Sequence, residues 1–243
     1  MANLLIEIGN TALKAAWAEG KTLGRTVRYQ GERLHGFLIG TLLAKEKPDV
    51  LVLASVRDIP EEDLSEIRER CGQLVLIDRT HPAILRAYGL PEYLSPSRAA
   101  SIIAAREMFK GKPCLVFDFG TVLSIDSVAA DGSYQGGNLS LGCRTRFKAL
   151  NRYSRSLPLV DTPAEIAPEG TSIESSMETG VVSGIMFEIE GYVRLHPENI
   201  LVFTGGDAIY FAKKMKNSIF TVSMLVMIGM ALITDDYVRK NLQ

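Results

Sequence analysis

The chain is short of the features that would assign it quickly. Its 243 residues include only three cysteines, Cys71, Cys114 and Cys143. They are widely spaced and odd in number, so neither a disulfide framework nor a zinc-ligand pattern is supported, and buried reduced thiols are expected. No charge of one sign dominates: 27 basic side chains stand against 28 acidic ones. That balance gives no basic stripe for nucleic acid and no acidic disordered arm. The longest apolar run, Ile219 to Ile233, is interrupted by Thr221, Ser223 and Gly229, and it falls short of the ~20 residues that span a bilayer. The chain opens on a strand pattern rather than a signal peptide. The expectation is a soluble cytoplasmic protein with no nucleic-acid or membrane partner, long enough for one large domain or two small ones.

What is present is organised around Leu115 to Asp126, an apolar strand that breaks at Asp118-Phe119-Gly120-Thr121 and resumes as a second strand. A carboxylate at the entrance of a tight glycine turn leaves a cup of backbone N–H groups suited to phosphate oxygens, although an ordinary hairpin has the same form. The same grammar occurs at the N-terminus. There Leu4 to Ile8 carries Glu7, followed by Gly9-Asn10-Thr11 and a second strand containing Lys14. Two copies about a hundred residues apart suggest duplicated lobes acting on one nucleotide. A third glycine turn, Thr204-Gly205-Gly206-Asp207-Ala208, follows a buried-type strand and precedes a helix whose N-terminus favours negative charge.

The remaining periodicity alternates strand with helix. In the first half it predicts a helix over 33–45, a strand over 49–55, a helix over 61–70, a strand over 73–77 and a helix from Ser97 through Lys110. Thr80 to Pro96 reads as turns, with Ser95 or Ser97 capping the helix that follows. In the second half it predicts strands over 114–128 and 134–138, then a helix over 139–154 bearing Arg144, Arg146, Lys148 and Arg152 on a solvated face. A proline-bearing loop over 157–169 follows, then a helix over 173–194, a strand over 200–204, and helices over 208–216 and 225–240. The pattern is α/β.

These blocks together resemble the actin and sugar-kinase superfamily, and within it the type III pantothenate kinases, whose Bacteroides versions share the Arg144-x-Arg146-Phe147 region. The likeness runs nearly end to end, through Tyr88…Pro91…Leu94-Ser95-Pro96-Ser97-Arg98, Gly136 to Gly142, Leu157 to Val160 and Leu225 to Gly229. It implies two ribonuclease-H-like lobes, 1–112 and 113–243, with a nucleotide cleft between them. It also implies ATP-dependent phosphorylation of pantothenate to 4'-phosphopantothenate, the first step of coenzyme A synthesis, by a homodimer using Mg²⁺ and a monovalent cation, K⁺ or NH₄⁺. By the same resemblance Glu7, Gly9, Asn10, Thr11, Lys14, Gly120, Thr121, Gly205 and Gly206 serve ATP. Glu7 would act on Mg-ATP, and Asp118 on the monovalent cation. Tyr88, Ser95, Arg98 and Ile173 fall at substrate-binding positions, and Ser97 with Arg98 at catalytic ones. A guanidinium such as Arg98 suits a carboxylate or the migrating phosphoryl charge.

The chain also departs from the family. Ser97 stands where the family has the aspartate base, Ser95 where it has glycine, Ile173 where it has threonine, Glu7 where it has a shorter acid and Leu141 where it has proline. A serine hydroxyl is a poor base at neutral pH without an activating neighbour, and His35, His81 and His196 offer no obvious substitute. General-base assistance is worth about 10²–10⁴ in rate, so the resemblance implies a kinase of lowered turnover. Two other readings stay open: a nucleotide-binding relative without turnover, and a kinase for another hydroxylated acceptor.

Overall fold

The computed structural model describes residues 2–31, 33–44 and 46–241. Lys45, the expected end of the first helix, and the terminal residues Met1 and Gln243 of the two expected lobes lie outside them. The chain forms two compact units, 1–108 with 224–243, and 109–223.

The first unit holds β1 (Asn3–Ile8), β2 (Leu13–Glu19), β3 (Thr22–Tyr29), α1 (Leu34–Phe37), β4 (Val50–Ser55), α2 (Glu61–Glu69), β5 (Gln73–Ile77), α3 (Ala83–Ala87) and α4 (Pro96–Met108). Its sheet runs β3-β2-β1-β4-β5, with β1 antiparallel to β2 and parallel to β4. Every residue of β1 and β4 is buried, Asn3, Glu7 and Ser55 included, which accounts for the apolar runs over 4–6 and 50–54: strands covered on both faces have no solvent side to alternate toward.

The second unit contains β6 (Cys114–Phe119), β7 (Val122–Val128), β8 (Tyr134–Leu141), α5 (Cys143–Tyr153), α6 (Ile173–Leu195), β9 (Ile200–Gly205), α7 (Ala208–Lys214) and β10 (Ile219–Thr221). Its sheet order, β10-β9-β6-β7-β8, repeats the first when read from the other edge. β6 is antiparallel to β7 and parallel to β9, as β1 is to β2 and β4. The duplication expected from two acid-x-glycine turns is therefore a duplication of whole sheets. Each sheet has its own core. Leu4, Ile6, Leu51, Leu53 and Ile67 centre the first, and Phe117, Phe147, Phe203, Phe211 and Ile185 the second. Burying side chains of this size stabilises by about 1.5–3 kcal/mol each.

Several elements differ from expectation. The helix predicted over 33–45 is one α turn followed by a π turn over Leu38–Leu42, closed by Leu43 N–H donating to the Leu38 carbonyl at 3.0 Å. Gly36 and Gly40 weaken an α-helix there. The turn-rich stretch 80–96 contains α3. β8 continues to Leu141, because 139–141 pair with 122–124, and the helix expected from Leu139 begins at Cys143. β10, hidden at the start of the 219–233 apolar run, pairs with β9.

The last helix, α8 (Leu225–Asn241), departs furthest. Expected within the C-terminal lobe, it belongs to the first unit. Gly229 lies against the α4 backbone so closely that a Cβ would sit 1.9 Å from the Ala100 carbonyl oxygen. Sequence order favoured the later lobe, whereas the glycine that lets two helix backbones approach directs the helix to the earlier one.

Candidate active site

In the first unit, β1 and α4 bring the expected residues together. Glu7 is 6% exposed. Its Oε1 accepts the Ser97 hydroxyl at 2.8 Å, and its Oε2 accepts the Lys14 ammonium at 3.1 Å. Lys14 reaches it because Glu7 and Lys14 are cross-strand partners in the β1–β2 ladder. Ser97 reaches it from the first turn of α4. Pro96 opens that helix with its φ already set, and Ser95 caps it by accepting the Arg98 N–H at 3.4 Å. Of the two candidate caps, Ser95 holds the position, which leaves Ser97 free to bond Glu7. Arg98 follows, only 8% exposed.

The turn after β1 is closed by Gly9 N–H donating to the Ala12 carbonyl at 2.9 Å, with Asn10 and Thr11 exposed at its tip. The Arg57 guanidinium bonds the Asn10 carbonyl and braces the loop. Nothing in the sequence pattern pointed to Arg57, which lies beyond the end of β4. Tyr88, at the end of α3, donates its hydroxyl to Asp236 Oδ2 at 2.6 Å, and its carbonyl accepts from Arg106 at 2.8 Å. Burial, followed by the Asp236 contact, raises the Tyr88 phenol above the usual tyrosine range.

Two of the histidines serve local structure. His35 meets Glu66 at 2.8 Å, and His81 meets Asp78 at 2.8 Å.

In the second unit, three glycine-bearing segments converge on the end of β6. Gly206 N–H donates to the Phe119 carbonyl at 2.9 Å, and Gly142 N–H to the Thr121 carbonyl at 3.1 Å. Thr145 Oγ1 bonds the same Thr121 carbonyl at 2.7 Å. A Cβ on Gly142 would lie 1.9 Å from the Gly120 carbonyl oxygen, and one on Gly205, whose φ is +92°, 2.5 Å from Asp118 Oδ1 and from the Phe119 carbonyl. Glycine is required at both places by close approach, and at Gly205 by conformation as well. Asp207, next in line, is held above the ordinary carboxylate range by burial.

Ile173 stands apart from these turns. It is 53% exposed at the start of α6 and lines an open groove of about 1180 Å³ with Leu150, Tyr153, Thr171, Ser172 and Arg146. Arg146, expected on a solvated face, is instead tied to Glu188, the Leu141 carbonyl and Ser140. Among the described residues no cluster of three or more His, Cys, Asp or Glu side chains could by itself hold a metal ion.

Paired mixed sheets of this order, with acid and glycine turns at corresponding strand ends, define the actin and sugar-kinase type of fold. The ROK hexokinase of Thermus thermophilus shares it, at a TM-score of 0.55 and 14% identity over 99% of this chain and 100% of that one. A sequence profile of type III pantothenate kinases matches residues 3–195. The type III pantothenate kinase of Bacteroides fragilis is 32% identical over 233 residues, 94% of this chain and 95% of that protein. The type III pantothenate kinase of Cytophaga hutchinsonii is 34% identical over 233 residues, 94% and 96% of the two chains. The chain belongs to the type III pantothenate kinase family.

Proposed function

We propose that the protein transfers the γ-phosphoryl group of ATP to a hydroxyl of pantothenate, giving 4'-phosphopantothenate for coenzyme A synthesis. The observation that carries this reading is the equivalence of Glu7 and Asp118. Each is the fifth residue of a six-residue buried strand, and each stands two residues before a turn glycine, Gly9 or Gly120. An acid at the end of a buried strand beside a tight glycine turn, built twice, suits a cation-bound polyphosphate.

In this reading Gly9, Asn10 and Thr11 in the first unit, with Gly120, Thr121, Gly205 and Gly206 in the second, serve ATP. Lys14 and Arg98 supply positive charge to the migrating group. Asp118 would hold the monovalent cation. Its Oδ1 and the Phe119 carbonyl border the space that the missing Gly205 Cβ leaves, and oxygen donors of this kind suit a hard cation. Glu7 would serve Mg²⁺, which typically takes one or two carboxylates beside phosphate oxygens and water. Bound cations would neutralise phosphate charge as the acceptor approaches.

The acceptor oxygen forms a bond to the γ-phosphorus, the bond to the ADP oxygen breaks, and the hydroxyl proton leaves to solvent. Ser97 is a weak base in its own right, and its hydroxyl proton is committed to Glu7 Oε1. The loose transition state of phosphoryl transfer makes positioning and charge stabilisation sufficient for turnover at a lowered rate. In the same reading Tyr88, Ser95 and Ile173 serve the acceptor, and the protein works as a homodimer in the cytoplasm, for which the exposed Tyr153 and Leu150 offer apolar surface.

Coupled ATP turnover with and without pantothenate tests the reading, with Ser97→Asp measured alongside. Pantothenate-dependent ADP release by the unaltered protein is expected. ATP binding without release on any hydroxylated acceptor would favour the second reading, a non-catalytic nucleotide-binding relative, which the substitutions at Ser97 and Ile173 motivate. Equilibrium sedimentation at twice the mass of the chain, lost in Tyr153→Glu, tests the dimer.

A further inference from the structure

The contact between Tyr88 and Asp236 joins residues 148 positions apart, and Asp236 lies outside every motif described so far. Asp236 sits on α8, and its neighbour Asp235 is engaged elsewhere, in an ion pair with Arg239 one turn on. Tyr88 is fixed from two sides. Arg106 on α4 bonds its carbonyl at 2.8 Å, and Asp236 accepts its hydroxyl at 2.6 Å. Gly89, at φ +63°, turns the chain away immediately afterwards. A phenol has one proton to donate, and here the proton goes to a carboxylate. Its oxygen keeps lone pairs, and donation to a charged acceptor makes that oxygen a stronger acceptor in turn.

We propose that Asp236 is a specificity-determining positioning residue. By accepting the hydrogen bond that the Tyr88 hydroxyl donates, it leaves Tyr88 to act toward a ligand as a hydrogen-bond acceptor only, so that Tyr88 selects a hydroxyl or amide N–H of the phosphoryl acceptor and rejects a carboxylate. The inference rests on the reading of Tyr88 as a contact of pantothenate. It divides that molecule chemically: its hydroxyl or amide N–H groups suit Tyr88, and its carboxylate must be met by a cation such as Arg98. No spacing rule points to Asp236, which lies in an acidic pair late in the chain with no motif around it.

The test is calorimetric binding of pantothenate, and of its analogue with the carboxylate reduced to an alcohol, to the full chain and to Tyr88→Phe, Asp236→Ala, Asp236→Asn and the Tyr88→Phe/Asp236→Ala double variant. Binding of a non-hydrolysable ATP analogue serves as control. Each single truncation is expected to weaken pantothenate binding about tenfold, the size of one hydrogen bond. The double variant should be no weaker than the singles, and Asp236→Asn, which keeps an acceptor oxygen, should recover most of the loss. The penalty for Tyr88→Phe should be the same for pantothenate and its alcohol analogue, with nucleotide binding unchanged. Additive losses, or a Tyr88→Phe penalty that disappears with the alcohol analogue, would overturn the proposal while leaving the kinase assignment in place. Failure of the unaltered protein to bind pantothenate would remove the reading beneath it and the proposal together.

Discussion

Ser97 donates its hydroxyl to Glu7 at 2.8 Å, across 90 residues of sequence. The two departures from the family pattern at these positions are therefore a single arrangement: a longer acid on β1 meets a shorter alcohol on α4. Ser97→Ala removes a hydrogen bond to a buried carboxylate and is expected to cost about 1.5–3 kcal/mol. Ser97→Asp sets a second carboxylate against the first and should also destabilise, and Glu7→Gln in the same chain should relieve that loss. Urea denaturation midpoints of the four proteins check this. A Ser97→Asp variant as stable as its parent would contradict the contact.

Gly229→Ala separates helix propensity from packing. Alanine within a helix is favoured over glycine by about 1 kcal/mol, but the new methyl would fall 1.9 Å from the Ala100 carbonyl oxygen. Packing should prevail, with a net loss of about 1–3 kcal/mol. A raised thermal midpoint would show that α4 and α8 do not lie so close.

Asp207 supplies a pH test. Burial raises its pKa in the folded state, so its ionisation opposes folding. The penalty is absent below the unfolded value of about 3.9 and grows as pH rises past it. Asp207→Asn should therefore melt higher than the parent at pH 7, with the gap closing toward pH 4. A constant gap across that range would contradict the assignment.

The thiols should be silent. Cys71, Cys114 and Cys143 are all free and buried, and burial pushes the Cys114 thiol up to about 11. Because thiolate is the reactive form, alkylation at pH 7.5 under native conditions should label none of the three, and labelling in denaturant all of them. Rapid native labelling of Cys114 would contradict its place in β6.

Much of the fold was legible because its signals are local. Buried runs such as Val50–Ser55 and Cys114–Phe119 are strands on both faces of which side chains pack, and Ser95, one of two serines expected to cap α4, accepts the Arg98 N–H. The glycine turns were legible for the same reason, and in the second unit they do converge on one strand end. What escaped depends on partners distant in sequence. β10 is a strand only because β9 lies beside it, and α8 joins the first unit through its fit to α4. Arg57 and Asp236 gain meaning only from Asn10 and Tyr88, to which no spacing rule connects them.

The placement of α8 bears on how the chain is made. Residues 109–223 form an uninterrupted stretch, whereas the first unit needs two separate stretches, 1–108 and 224–243. During synthesis the second unit can therefore close while the first still waits for α8, with the α4 backbone at Ala100 lacking the cover that Gly229 brings. Translation halted after β10 would release a molecule with one finished half and one sticky half, a substrate for quality-control proteases.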